Sequence, residues 1–107
     1  MKEEYSYPLD EEGRNIVRVI KTYDKGLVDV TVVYYTIKEG NAIPLVTFDL
    51  AHGFAHRDLR YLDTKDKRRK KKLEVKDLEE FLDIALEDIS RNWRRYLEEF
   101  KSKEIRR

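Results

Sequence analysis

The C-terminal third of the chain carries one apolar stripe at helical spacing, and this stripe constrains the fold more than any other feature. Between residues 76 and 100, apolar residues recur at steps of three and four. At 100° per residue they share one side of a helix, which predicts a single amphipathic helix roughly 37 Å long. The stripe has to be buried against another part of the chain. Its members are Leu78, Leu82, Ala85, Leu86, Ile89, Trp93, Tyr96, Leu97 and Phe100.

The residues before the helix are typical of a sheet that could cover this stripe. Runs rich in β-branched and aromatic residues alternate with short segments that each contain glycine, which tight hairpin turns use for positive φ. Connections this short leave no room for parallel crossovers, so the strands should form an antiparallel meander. The second run is apolar on both faces and belongs in the sheet interior. Pro44 belongs near a strand start, where pairing is incomplete. The runs span residues 15–23, 27–37, 42–50 and 54–62.

These elements predict an α+β fold in a single domain of 107 residues. A four-stranded antiparallel β-meander carries one long C-terminal helix packed on one face. The other face of the sheet is then left to solvent, to a ligand or to a second copy of the chain. The predicted segments are an acidic, turn-like stretch over 1–13, the meander over 14–62, a basic linker over 63–74, and the helix with a basic tail over 75–107.

Composition excludes several classes of protein. A formal net charge of +1 excludes a histone-like protein, and the absence of cysteine excludes a disulfide framework, a thiolate nucleophile and a cysteine zinc site. No apolar run approaches the roughly 18 residues of a membrane span, and the N-terminus lacks a secretory signal, so we expect a cytoplasmic protein with no membrane partner. High charge and the absence of glutamine are typical of a thermophile protein. No nucleotide-binding or zinc-finger motif is present, and we expect no cofactor.

Both histidines of the chain lie in one hairpin, beside two carboxylates and an arginine. Strand alternation places Asp49, His56 and Asp58 on the face away from the helix. Arg57 falls on the apolar side, where its stem lies on the core while its head reaches the edge. His52 sits at the turn, on the rim of the sheet.

Three interpretations of this hairpin remain open. In the first, His52 caps the turn and His56 pairs with Asp49 or Asp58 in an ordinary surface network. In the second, a histidine is the general base or acid and Arg57 stabilises a pentavalent phosphate, the minimum for metal-free RNA cleavage by the ribose 2′-hydroxyl. In the third, His52, His56 and Asp49 bind a metal ion, although a glycine turn need not bring this spacing together.

The hairpin also carries a resemblance to a known family. Residues 49–57 follow the pattern Asp-x-x-His-Gly-x-x-His-Arg, and residues 92–96 read Asn-Trp-Arg-Arg-Tyr. Both resemble an uncharacterised family of small prokaryotic proteins. The layout, strands followed by one helix, is loosely similar to TumE-type toxins of toxin–antitoxin pairs. That similarity implies ribonuclease-like toxicity and an antitoxin-like partner.

A run of cations follows the hairpin, with seven cations in the eight positions from 65 to 72. One interpretation is a phosphate-binding loop, because each neutralised phosphate releases counterions. The other is a solvated, partly disordered connection. The run contains no aromatic residue, so base stacking is not indicated. The candidate nucleic-acid-binding residues are Lys67, Arg68, Arg69, Lys70, Lys71 and Lys72.

The helix adds one further question. Ile84 lies nearly opposite the stripe and Phe81 on its flank, so the two are either isolated exposed residues or a dimer contact. Trp93 and Tyr96 lie within the stripe and are interpreted as core residues rather than a ligand platform.

Two hypotheses about function follow. The leading one is a small nucleic-acid-associated, toxin-like protein whose catalytic residues are His52, His56, Arg57 and Asp49, with RNA and an antitoxin-like protein as partners. The rival is a non-catalytic interaction module that pairs with itself or with a partner through the open sheet face. A polar cleft converging on His56 would favour the first, and a large apolar patch on the open face would favour the second.

Overall fold

The computed structural model describes residues 1–105, except for the side chain of His52. Six strands precede one long helix, and a short 3-10 turn, Ala51–Gly53, interrupts the hairpin between the fourth and fifth strands. The strands are β1 (Lys2–Pro8), β2 (Asn15–Tyr23), β3 (Leu27–Lys38), β4 (Asn41–Asp49), β5 (His56–Leu59) and β6 (Lys70–Lys72), and the helix is α1 (Leu78–Ile105).

The strands form one antiparallel sheet in sequence order, β1 to β6. The α+β class and the antiparallel meander are therefore confirmed, but the expected number of four strands is wrong. Two edge strands were missed because their sequences suggested turns or solvated linkers. In β1, Tyr5 and Tyr7 alternate with polar residues and pair opposite Val19 and Val17, which is a strand pattern inside an acidic segment.

The other missed strand, β6, consists of three lysines and buries no side chain. Its backbone is held by hydrogen bonds at both ends. The Leu59 N–H donates to the Arg69 carbonyl at 2.7 Å, and the Leu73 N–H donates to the Ala55 carbonyl at 2.9 Å. Main-chain pairing and the apolar residue that follows it therefore specify this strand, and the lysine side chains contribute no hydrophobic pattern from which it could be predicted.

The hairpin between β3 and β4 illustrates how local sequence sets register. Lys38 pairs with Asn41 across a two-residue loop in which Glu39 and Gly40 both have positive φ, 51° and 79°. Paired positive φ values are those of a type I′ turn, whose twist matches that of antiparallel strands. Further along, the register shifts by one residue beside Pro44, which lacks the N–H that regular pairing would use.

The helix packs across β3 and β4 on a single face of the sheet, as predicted. The ring of Tyr34 meets Trp93 edge-on, and Phe48 meets Phe81 in the same way, each with ring centroids 6.4 Å apart. We call the opposite side of the sheet the uncovered face. No helix in the described part of the chain is long and apolar enough to cross a membrane.

The helix begins later and ends later than the sequence pattern predicts. Asp77 accepts the Glu80 N–H through its carboxylate at 2.8 Å, which satisfies one of the free amide groups of the first turn. Phe81 is fully buried, so its assignment to an exposed flank is wrong. The buried side of the helix is rotated toward Phe81 and away from Leu82 and Leu86, which are only partly buried.

Candidate functional site

Strand β5 divides the predicted catalytic residues between the two faces of the sheet. Arg57 pairs with Phe48, whose ring contacts the helix, so the Arg57 side chain leaves on the helix side. His56 and Asp58 flank it and project onto the uncovered face. The structure thus brings His56 and Asp49 together but directs Arg57 away from them. The side chain of His52 lies outside the described part of the chain.

His56 is buried and contacts a carboxylate. The residue is 6% exposed, and its Nε2 lies 3.0 Å from the Asp49 Oδ1 on the neighbouring strand. Its Nδ1 faces the Phe54 carbonyl at a longer 3.4 Å. Both ring nitrogens therefore face acceptor oxygens. A general base needs a free nitrogen, so His56 would have to release one of these partners before it could accept a proton from substrate.

The second carboxylate on this face, Asp58, has a structural partner. Arg69 donates from Nε to the Asp58 Oδ1 at 2.9 Å and from Nη1 to the Leu62 carbonyl at 3.1 Å. Asp58 is 9% exposed, so its charge is largely shielded from water. Arg69 therefore connects β5, the following turn and the start of β6. The sequence pattern predicts Arg69 as a phosphate-binding residue and indicates no partner for it within the protein.

The remaining cations of the basic run are distributed over three directions. Arg68 binds Asp66 and also approaches the Glu99 Oε1 of the helix at 3.4 Å, while Lys67 is exposed in the turn before β6. Lys70 pairs with Asp58 and Lys72 with His56, which puts both lysine side chains on the uncovered face. Lys71, opposite Arg57, points toward the helix side.

An exposed aromatic ring lies directly beside the lysines of the uncovered face. Phe54 is 42% exposed, the Lys72 ammonium lies 5.3 Å from its ring centroid, and the His56 ring lies 5.7 Å away at a 55° tilt. Phe54 is remote from the basic run in sequence, and only the pairing of β5 with β6 brings the two together. We call Phe54, Lys70 and Lys72 the lysine–phenylalanine patch. Nothing in the local sequence could have identified it.

The centre of the uncovered face is mixed in character. Ile16, Ile20 and Tyr35 are half-buried and Val33 is 8% exposed. Arg18 forms an ion pair with Glu4 on the same face. Side chains this shielded do not form the large contiguous apolar area that marks a protein interface.

The structure also shows how the possible metal ligands of the hairpin are arranged. Among the residues that the structure describes, no three side chains of histidine, aspartate or glutamate are grouped so that they could hold a metal ion. The Asp49 carboxylate faces His56 and, through the same Oδ1 atom, accepts the Ala51 N–H at 3.1 Å. The described side chains that could bind a metal here, Asp49 and His56, thus contact each other.

Comparison with known proteins identifies the family of the chain. No curated protein and no solved structure matches the chain. A family model described as a domain of unknown function, DUF7718, matches residues 1–106. Because this match extends over almost the whole length, it includes the sheet, the histidine hairpin and the helix, and the chain belongs to the DUF7718 family.

Proposed function

We propose that this protein binds single-stranded nucleic acid, with RNA as the expected ligand, through the lysine–phenylalanine patch. The observation that carries the proposal is the exposed Phe54 ring with the Lys72 ammonium 5.3 Å from its centroid. A flat aromatic surface beside cations is the recurring arrangement in proteins that bind unpaired strands. The ring offers a stacking surface for one base, and the lysines lie where the flanking phosphates would pass.

Charge supports the same location. Residues 57–76 contain ten cations and four carboxylates, a local excess of six positive charges in a chain whose formal net charge is only +1. Several of those cations already have protein partners, notably Arg68 and Arg69. Lys70 and Lys72 have no carboxylate within ion-pair distance among the described residues. They therefore remain free to neutralise phosphates at this edge of the uncovered face.

The proposal is tested by fluorescence anisotropy with a labelled single-stranded RNA of about a dozen nucleotides, the upper range of site sizes for one small domain. Phe54→Ala should weaken binding by about 1–3 kcal/mol, the contribution of one stacked base. Replacing Lys70 and Lys72 with serine should weaken it further and flatten the dependence of log K on log salt by up to about two, one for each lysine that no longer neutralises a phosphate.

Two variants serve as matched controls. Lys71→Ser removes the same charge from the same strand but on the opposite face, so it should leave the salt slope nearly unchanged. Tyr5→Ala removes an aromatic ring that is 39% exposed and also lies under a lysine, at the far edge of the sheet. If Lys71→Ser and Tyr5→Ala weaken binding as much as the patch variants do, the patch is not the binding site and the proposal is wrong.

Cleavage of the bound strand is a second candidate function, favoured by the contact between His56 and Asp49. The toxin-like hypothesis places a ribonuclease at this pair, next to the lysine–phenylalanine patch, and adds an antitoxin-like protein that would restrain it. With Arg57 on the opposite face, the cation that stabilises the phosphate would have to be Lys72 or Lys70. A ribonuclease assay of the wild type against His56→Ala tests this candidate separately from binding.

A further inference from the structure

On the helix side of β5, three polar side-chain atoms are buried without a hydrogen-bond partner. They are the Arg57 Nε, the Tyr61 hydroxyl and the Glu99 Oε1, and they are the side-chain atoms of this kind found in the described part of the chain. A buried unpaired polar group lowers the stability of the folded state, so native proteins tolerate few of them. We call the space between β5 and the helix that contains Arg57, Tyr61, Arg95 and Glu99 the arginine crevice.

The arginines of this crevice outnumber its carboxylates. Among the described residues, neither Arg57 nor Arg95 has a carboxylate within 4.0 Å, and Arg95 instead stacks over the Tyr96 ring at 5.1 Å. Glu99 is the carboxylate of the crevice, and its Oε1 lies 3.4 Å from the Arg68 Nη1. Asp66 holds the other side of Arg68. The Arg57 and Arg95 guanidinium groups are therefore not paired with a carboxylate of the described residues, and Arg95 is exposed to solvent while Arg57 is half-buried.

Tyr61 lies within the field of these charges. Burial and the nearby Glu99 charge raise the pKa of its phenol to about 12, while Arg95, Arg57 and Arg68 act to lower it. Its hydroxyl therefore keeps its proton at neutral pH and is available as a hydrogen-bond donor. The crevice thus contains three donor groups, namely two guanidinium groups and one phenol. No described carboxylate is paired with any of them.

We propose that the arginine crevice binds a phosphate dianion. The Arg57 Nε–H, the Arg95 guanidinium and the Tyr61 O–H would donate to its oxygens, and charge-assisted bonds of this type are the ones proteins use to recognise phosphate. A groove of about 440 Å³ opens beside the crevice between the helix and the basic turn. The groove shares Arg95 and Glu99 with the crevice and leaves room on that side for the group that carries the phosphate. Its lining is Arg68, Arg95, Glu98, Glu99, Ser102 and Lys103.

Glu99 opposes this binding, and its position makes the proposal specific. Its carboxylate repels a dianion, but Arg68 lies against its Oε1 and offsets part of that charge. Removing the Glu99 charge should therefore strengthen phosphate binding. The site is independent of the lysine–phenylalanine patch, because Arg57 and Lys72 leave the sheet on opposite faces.

The test follows binding of inorganic phosphate to the full chain by NMR, through the Nε–Hε resonances of Arg57 and Arg95. Added phosphate should shift both resonances and raise the melting temperature, whereas equal ionic strength of sodium chloride should not. Arg95→Gln should weaken binding about tenfold, the effect of one charge-assisted hydrogen bond. Glu99→Gln should strengthen it. Arg94→Gln, which changes an arginine stacked on Trp93 at the other flank of the helix, should leave binding unchanged.

Tyr61→Phe separates a ligand site from a packing defect. Because the hydroxyl has no partner, its removal should leave the phosphate-free melting temperature unchanged or raise it. The same variant should weaken phosphate binding several-fold. Unshifted Nε–Hε resonances at high phosphate, or equal phosphate affinity in the wild type, Tyr61→Phe and Arg95→Gln, would overturn the proposal.

Two sources of the phosphate remain to be distinguished in the same experiment. Oligonucleotides of one sequence, with either a 5′-phosphate or a 5′-hydroxyl end, are titrated in parallel with inorganic phosphate. Tighter binding of the phosphorylated end, abolished by Arg95→Gln, identifies a nucleic-acid terminus as the ligand. Equal binding of both ends, with inorganic phosphate still shifting the resonances, identifies a free phosphate compound.

Discussion

Three consecutive residues of β5 occupy three different environments. His56 pairs with a carboxylate on the uncovered face, Arg57 enters the crevice beneath the helix, and Asp58 holds the arginine that fastens the last strand. The alternation of the strand separates Arg57 from the other two, since neighbouring side chains leave the sheet on opposite sides. A catalytic set drawn from adjacent residues of a strand is therefore split unless a second element reaches around the edge.

The contact of His56 with Asp49 gives the first prediction. His56→Ala should destabilise the protein by about 1–3 kcal/mol, because the Asp49 carboxylate loses its partner next to buried surface. Asp49→Asn should cost less, since the amide can still accept from the Nε2 hydrogen. Urea unfolding of both single variants and the double variant gives the coupling energy. A coupling energy of zero would show that the contact contributes nothing to stability.

Alternation was enough to predict the faces of these residues, but not their partners. The sequence pattern assigns His56 and Asp58 to one side and Arg57 to the other, as observed. It leaves Asp49 and Asp58 as equal candidates for His56, because strand register depends on the Ala51–Gly53 turn and on the helix packing behind it. The ion pair between Arg69 and Asp58 depends on the position of β6, and the sequence of β6 has no apolar pattern that predicts a strand.

At the level of elements, β6 shows how a strand can form without any apolar residue. Lysines on an edge strand discourage pairing with other chains, because a second strand would bring the charges together. The same exposure makes them available to phosphates. Arg69 fixes the start of the strand, and Leu73, which packs against the core, follows its end.

The attachment of β6 to the rest of the sheet depends on Arg69, which gives the second prediction. Arg69→Ala should cost about 1–3 kcal/mol, because Asp58 and the Leu62 carbonyl both lose their donor. Lys67→Ala, an exposed neighbour in the same turn, should change stability by less than about 0.5 kcal/mol. Urea titrations compare the two. Equal midpoints would mean that β6 is held by its backbone hydrogen bonds alone.

The rotated helix face supplies the third prediction. Ile89→Ala and Phe81→Ala should cost about 2–5 kcal/mol each, because each leaves a cavity in a fully buried position. Ile84→Ala, at a half-buried position on the flank of the helix, should cost less. Thermal melts of the three variants measure these differences in stability. If Ile84→Ala is as damaging as Phe81→Ala, the helix has been assigned the wrong buried face.

At the scale of the whole molecule, the fold is a thin slab with opposite charge at its two sheet edges. Its smallest dimension is 21 Å, the thickness of one sheet and one helix layer. The acidic segment 1–13 contains β1, and the basic region 57–76 contains β6, so the charges that cancel in the total are separated across the sheet. A net charge of +1 therefore understates how strongly one edge would attract an anion.

The buried tyrosines give the last prediction, which concerns the stability of the entire fold in alkali. Burial raises the pKa of Tyr7, Tyr34, Tyr61 and Tyr96 above the ordinary value of 10.0, and that of Tyr61 reaches about 12. A group whose pKa is higher in the folded state contributes stability that is complete below the unfolded value and is lost as the pH rises through the folded value. We therefore expect stability to fall from about pH 10 upward, with unfolding around pH 12 as the buried phenols ionise. Tyrosinate absorbance at about 295 nm should rise in two phases, the later one coinciding with loss of far-ultraviolet circular dichroism. A single phase near pH 10 with an unchanged dichroism spectrum would contradict the burial of these rings.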